Sequence, residues 1–477
     1  MGTGITLVFF NSLTSIVELL LNSLNKMQYP QLQITKRSLL QRSILLTALC
    51  SAFISAQVSW AQNIPTAKPE SVGMSSKKLQ HMTKMFQMEV DKGAIPGAII
   101  QINRNGKLVY TSILGFKDKS KNEPLTKDSI FRIYSMTKPL ASIAAMQLVE
   151  EGRMQLTDPI SKFLPEFKDM QVSVAKTDSK GETSYETVPA LKPITVQDLL
   201  RHTSGIAYPE ITKNPIIKKA YINGGLYVAE GTDYDQRRLS PKEFVTAVAS
   251  SPLSTQPGTN WEYSMSVDVL GRVIEAVSGQ RLGEYLQAHL FKPLNMKDTG
   301  FKVPAENVSR LAQPFSVDPS TQQPIKLLDV TLDPANDSGG AGGVSTAADY
   351  MNFVSMLLNG GELNGQRIIS PTTLSLMTSD QLGTRTSVPL NPGQLLMGVN
   401  GYTFGLGFMV RQGPGLSEVP GSEGEYMWAG AAGTFFWVDP KEKLGVVVMT
   451  QVPGPIRPYY RRMIKQLVGA SIVSTYK

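Results

Sequence analysis

Between Ser75 and Lys92, apolar residues fall at Leu79, Met82, Met85, Phe86 and Val90, the spacing of one helical face, and Gly93 closes the run. The period then changes. Ala98–Asn103 and Lys107–Leu114 read as strands joined at Asn105-Gly106, a two-residue hairpin signal because such a turn needs positive φ at both positions. A helix is predicted from about Ser135 to Glu151, with Gly152 as its stop. From about 155 to 340 the chain reads mainly as helices and long loops. The helices there are Val196–Arg201, Pro241–Ala249, Ser266–Ser278 and Gly283–Leu290. A helix at Ala347–Leu358 precedes a return to strands at Tyr402–Arg411, Tyr426–Trp428, Thr434–Val438 and Gly445–Thr450, and the chain ends in a helix near Tyr459–Val473.

Strands at both ends and helices between them imply an α+β fold. One antiparallel sheet is built from both termini and flanked by helices, with a mainly helical lobe inserted. The expected α/β lobe comprises about 62–154 and 341–477, and the helical lobe about 155–340. A site is expected in the crevice between them.

The first 61 residues stand outside this pattern. Lys36, Arg37 and Arg42 precede an apolar run from Ser43 to Ala56, and Ser59-Trp60-Ala61 offers small residues where a signal peptidase reads, so cleavage is expected before Gln62. The run is short for a membrane span. Upstream, Ile5–Leu24 is apolar but carries Glu18, and Met27 is a candidate start. The mature chain is expected in the periplasm or outside the cell, with no stable membrane span.

The one cysteine, Cys50, lies in that leader, and Leu49 before it is too large for a good lipoprotein cleavage site. A mature chain without cysteine has no disulfide and no thiol nucleophile. Three scattered histidines argue against a zinc or iron site, so neither metal nor cofactor is expected. The net charge of +8 is spread along the chain, without the Lys/Arg stripe that nucleic acid binding requires. The partner expected is a small molecule, met by a monomer or homodimer.

Chemistry concentrates at Phe131-Arg-Ile-Tyr-Ser135-Met-Thr-Lys138, an S-x-x-K at the start of a helix. Positions i and i+3 share a helical face, so the Lys138 amine can reach the Ser135 hydroxyl. A helix N-terminus also offers N–H groups to a developing oxyanion. An N-cap serine followed by a solvated lysine would give the same four letters.

Two further stretches follow in order: Asn260-Trp-Glu-Tyr263-Ser-Met265 and Tyr426-Met-Trp428-Ala-Gly430-Ala431-Ala-Gly433. With Leu199-Leu-Arg-His-Thr-Ser-Gly205, Gly339–Ser345 and Phe436–Pro440 as flanks, the set resembles the serine β-lactamase and penicillin-recognising superfamily. It is most similar to the class C β-lactamase-like esterases, or family VIII carboxylesterases, over about Ile64 to Leu467. That resemblance implies Ser135 as nucleophile of an acyl-enzyme, with Lys138 and Tyr263 moving protons. It implies an oxyanion hole from the N–H groups of Ser135 and Ala431, with Gly430, Trp428 and Met265 around the substrate. Which of Lys138 and Tyr263 is the base stays open.

Two departures from the β-lactamase pattern bear on the substrate. Met265 stands where an asparagine usually binds the substrate amide, and Trp428 where a lysine usually attracts its carboxylate. An apolar pair there favours uncharged acyl groups and hence short-chain esters, with a β-lactamase or D-Ala-type peptidase as the alternative. A Ser-His-Asp mechanism finds little support. His81 and His289 fall in predicted helices, and His202 reads as structural in its H-T-S-G turn. Gly343-Val-Ser345-Thr-Ala347 only approaches G-x-S-x-G, and Thr346 to Asp349 reads as a capping box.

Overall fold

The computed structural model describes residues 64–227 and 235–476, so the expected leader lies outside the described residues. The early strands are β1 Gly97–Arg104, β2 Lys107–Asp118, β3 Glu123–Pro124 and β4 Phe131–Arg132. Next come β5 Gln171–Thr177, β6 Thr183–Pro189, β7 Val344–Ser345, β8 Glu362–Leu363 and β9 Gln366–Arg367. The late strands are β10 Tyr402–Phe404, β11 Met409–Arg411, β12 Tyr426–Ala429, β13 Phe435–Asp439 and β14 Leu444–Met449. Eight of them form one antiparallel sheet in the order β10-β11-β12-β13-β14-β1-β2-β3. The seam between the two chain ends is β1 against β14, from Ile99 opposite Met449 to Arg104 opposite Leu444.

The hairpin signal is realised literally. Asn105 and Gly106 have φ of 53° and 72°, and Arg104 pairs with Lys107 across them. Successive residues of a strand face opposite sides of a sheet, and β13 shows what covers each. Phe436 packs on Tyr350 and Phe353 of the helix Ala347–Leu358, with ring centroids 5.1 and 6.4 Å away. Trp437, pointing the other way, lies 4.8 Å beneath the Lys465 ammonium of the terminal helix Arg457–Ser471. That helix also meets the first one, Ser76–Asp91, where Phe86 and Tyr460 sit 6.3 Å apart. At Gly445 a Cβ would fall 2.5 Å from Val354 Cγ1, so the bare backbone is what lets the Ala347–Leu358 helix close on the sheet.

Arg104, fully buried, ties both ends of the fold together. It donates to Glu442 Oε2 at 2.6 Å, to Ser474 O at 2.7 Å and to Gly73 O at 2.8 Å. The helix Thr137–Glu150 is buried on nearly every side from Thr137 to Met146, as befits a central helix that carries no wet face. The helix Ser266–Ser278 packs against it.

Three elements differ from expectation. Tyr402–Arg411 is two strands, because Gly405 and Gly407 turn the chain: Gly405 N donates to Phe408 O at 2.8 Å and Gly407 has φ of 88°. Every residue of that stretch is buried, which hid the reversal in a continuous apolar run. The hairpin β5–β6 falls where helices and loops were expected; most of its residues are exposed and polar, so no period-two pattern marks it. The helix expected at Gly283–Leu290 is an α-turn at Leu282–Leu286 that widens into a π-type turn at Gln287–Phe291. Among the described residues, no helix is long and apolar enough to cross a membrane.

Candidate active site

Ser135 lies in a 3₁₀ turn, Tyr134–Met136, that leads into the helix Thr137–Glu150. The residue before it is forced into an unusual shape. Tyr134 has φ of 44°, a left-handed conformation that a bulky side chain holds only when its surroundings over-determine it. Those surroundings are explicit. Ile133 N donates to Gly343 O at 3.0 Å, Thr137 Oγ1 to Tyr134 O at 2.6 Å, and Gly343 N to Thr137 Oγ1 at 2.9 Å. The paired strands β4 and β7 hold the two segments side by side.

The Ser135 hydroxyl meets Tyr263, whose OH donates to Ser135 Oγ at 2.6 Å. The Lys138 ammonium, 1% exposed, donates to Tyr208 OH at 2.8 Å and to Gly340 O at 2.8 Å, and sits 4.7 Å from the centre of the Tyr263 ring. So Lys138 approaches Ser135 through the tyrosines, not by the direct bond that helical spacing suggested. Tyr208 was missed in the sequence. It lies three residues beyond the H-T-S-G turn, and an aromatic hydroxyl there was the available signal. Burial, with the neighbouring Tyr263 adding to it, pushes the Tyr208 phenol well above its ordinary value. It therefore keeps its proton while its oxygen accepts from Lys138, and its ring lies 5.3 Å from that of Tyr263. Ser135, Tyr263, Tyr208 and Lys138 form one continuous line of contacts.

Behind Lys138 stands Asp268, 2% exposed, from the helix Ser266–Ser278. Its Oδ1 accepts from Gly340 N at 2.9 Å, from Ser338 Oγ at 2.5 Å and from Gln236 Nε2. On the opposite side the loop after β12 closes in. A Cβ on Gly430 would collide with Ile133 O and Thr434 Oγ1, so only glycine lets this loop press against the turn that carries Ser135. Ala431 is exposed, and among the described residues its N–H donates to no backbone carbonyl.

Trp428 and Met265 are placed close by but inside. Trp428, 1% exposed, packs on Tyr263 at 5.2 Å and on Phe404 at 5.3 Å, while its Nε1 has no hydrogen-bond partner among the described residues. Met265 is wholly buried and immediately precedes the helix Ser266–Ser278. His202 packs edge-on against Tyr263 at 5.0 Å, with Nδ1 3.1 Å from Ser264 Oγ. Burial first, and the Lys138 charge second, hold its imidazole well below the ordinary value, so it is neutral. His289 stacks on Tyr285 at 4.3 Å and His81 is exposed on the first helix. Ser345 is buried against Thr299 Oγ1 at 2.8 Å, and Thr346 caps the following helix by accepting from Asp349 N. The Asp349 carboxylate turns instead to Asp298 N and Thr299 Oγ1, at 2.7 and 2.9 Å.

The Beta-lactamase family profile matches residues 82–468. The chain belongs to the Beta-lactamase family. Protein Rv1367c of Mycobacterium tuberculosis is 33% identical over 366 residues, covering 76% of this chain and 87% of that one. Esterase EstB of Burkholderia gladioli is 28% identical, covering 77% and 88% respectively. Among solved structures, EstCE1, described as a hydrolase with promiscuous acyltransferase activity, superposes with a TM-score of 0.66 at 25% identity over 82% of this chain and 99% of its own. This member of the Beta-lactamase family has the antiparallel sheet and flanking helices of the β-lactamase and transpeptidase fold. It is an enzyme of the serine hydrolase class.

Proposed function

We propose that the protein cleaves short-chain carboxylic esters through an acyl-enzyme on Ser135. The observation that carries this reading is the 2.6 Å contact between Tyr263 OH and Ser135 Oγ, beside a buried Lys138 ammonium. With Tyr263 as the phenolate, its charge stabilised by the Lys138 ammonium, Ser135 Oγ attacks the ester carbonyl carbon while its proton passes to the Tyr263 oxygen. The carbonyl π electrons move onto oxygen, facing the N–H groups of Ser135 and Ala431. Collapse expels the alcohol, which takes the proton, and leaves the acyl group on Ser135. Water, or a second alcohol, then attacks the acyl-enzyme by the reverse route. Tyr263 is the immediate proton carrier, and Lys138 stabilises the negative charge passing through it.

The substrate class rests on Met265 and Trp428. Neither supplies an amide or a cation for a lactam core, and the buried Trp428 ring packs on Tyr263 at 5.2 Å. The names of EstB and EstCE1, an esterase and a hydrolase with acyltransferase activity, support the same choice. Residues 1–61 are read as a leader removed on export, which puts the enzyme in the periplasm or outside.

A fluorophosphonate should label wild-type protein stoichiometrically and leave Ser135→Ala unlabelled; labelling of the variant would remove Ser135 as nucleophile. On one preparation, kcat/KM for p-nitrophenyl butyrate should exceed that for nitrocefin by roughly ten- to a hundredfold, the value of one charged contact of about 1.5–3 kcal/mol. Comparable efficiency on nitrocefin would overturn the ester assignment. Trp428→Lys should move the ratio towards the lactam.

A further inference from the structure

The terminal helix Arg457–Ser471 brings two arginines against the loop that follows β12. Arg461, 5% exposed, donates from Nη2 to Gly430 O at 2.8 Å and from Nη1 to Leu396 O at 2.9 Å, and its Nε has no hydrogen-bond partner among the described residues. Arg457 donates from Nη1 to Ala431 O at 3.0 Å and from Nε to Gly454 O at 2.8 Å. Among the described residues, no carboxylate lies within ion-pair distance of either. A buried guanidinium served only by backbone carbonyls is costly, so its position calls for a reason. Burial, and then the charge of Arg457, weigh against the Arg461 cation, while the Tyr263 oxygen favours it.

The reason lies in which peptide it grips. The carbonyl of Gly430 and the N–H of Ala431 belong to the same planar peptide unit. A charge-assisted bond to the carbonyl end fixes the plane and draws electron density towards oxygen, which makes the N–H end a stronger donor. We propose that Arg461 is a positioning residue for the oxyanion, orienting and polarising the Gly430–Ala431 peptide so that the Ala431 N–H stabilises negative charge on the substrate. Arg457 holds the next peptide in the same way, through Ala431 O. The inference rests on the reading of Ala431 as an oxyanion donor. Because the ester is neutral and the tetrahedral species is anionic, the effect is confined to the transition states of acylation and deacylation.

The test compares Arg461→Lys, Arg461→Gln and Arg461→Met with wild type on p-nitrophenyl butyrate, together with the rate of fluorophosphonate labelling. Removing an oxyanion donor outright costs about 10²–10³ in rate, so loss of its polarising partner should cost roughly ten- to fiftyfold. We expect kcat and kcat/KM to fall together, in the order Lys, Gln, Met, with KM within about twofold of wild type and labelling slowed in parallel. Melting temperature should hold or rise in Arg461→Met, since a buried unpaired charge is gone. Wild-type kcat in the folded variants, or an effect on KM or stability alone, would overturn the proposal. Should the neutral variants fail to fold, Arg461→Lys decides, because it keeps the charge and loses the planar fork: a severalfold fall in kcat supports the proposal and none refutes it. Ser135→Ala, unlabelled under the same conditions, tests the underlying nucleophile independently of Arg461.

Discussion

Asp268 and Lys138 hold opposite ends of a single residue: the carboxylate takes the N–H of Gly340 at 2.9 Å, and the ammonium donates to the carbonyl of Gly340 at 2.8 Å. The backbone of one glycine thus transmits the position of a buried anion to a buried cation. A Cβ at Gly340 would run into Asp268 Oδ2. Gly340→Ala must therefore shift the carbonyl that aims Lys138. A displacement near 1 Å costs about 10²-fold in turnover, and that fall in kcat is the expected outcome in steady-state assays of the folded variant. Activity within threefold of wild type would show that Lys138 does not need this grip.

Tyr208 gives a second prediction. Tyr208→Phe keeps the ring and removes the oxygen that accepts from Lys138 at 2.8 Å. A hydrogen bond to a charged group contributes about 1.5–3 kcal/mol, so kcat/KM for p-nitrophenyl butyrate should fall roughly ten- to a hundredfold. The pH–rate profile should also change shape, because one member of the tyrosine–lysine line is gone. A fall with an unaltered profile would mean that Tyr208 only packs.

The buried neutral His202 sets a pH dependence of stability. Its imidazole lies well below 6.5 in the folded protein, so at lower pH only the unfolded chain takes up a proton there. The advantage of the folded state is complete above about pH 6.5 and is lost below it, by about 1.4 kcal/mol per pH unit. Asp349 works in the opposite sense. Chiefly through burial its carboxyl is raised to about 6, so it disfavours folding as pH rises from about 4 to that value. The two slopes oppose each other, so the wild-type curve alone does not separate them. His202→Asn, which tolerates the φ of 58° at this position, isolates the histidine. The wild-type advantage, measured by urea midpoint, should shrink below pH 6.5; parallel curves would refute it.

What could be read from the sequence was local, and what could not was a partner far along the chain. Asn105-Gly106 carries its own turn, and Ser135 and Lys138 share a motif. Lys138 finds Tyr208 and Gly340 at separations of 70 and 202 residues, which no spacing announces. Asp268 looked like an ordinary residue of a predicted helix, and Arg461 like the polar face of another. The Tyr263 hydroxyl was found because a tyrosine three residues before a helix belonged to an ordered set. The direct Ser135–Lys138 bond was expected from ideal helical geometry. It gave way because the 3₁₀ turn at Tyr134–Met136 interrupts that geometry at Ser135.

The proposed leader is tested on protein recovered from the periplasm or the medium. Ser59-Trp60-Ala61 follows a charged segment and an apolar run, so the mature N-terminus should fall at or near Gln62. N-terminal sequencing that begins at Met1 or Met27 would rule the cleavage out.

The seam between β1 and β14 also governs the order in which the molecule can be made. Arg104 waits for Leu444, and Ile99 for Met449. Throughout translation of the intervening chain, about 340 residues, β1 can pair only with β2, itself joined to the short β3, and its other apolar edge lacks a neighbour. Native closure comes after nearly the whole polypeptide has left the ribosome. Until then that open edge can pair with other chains, so aggregation competes with folding longest at this seam.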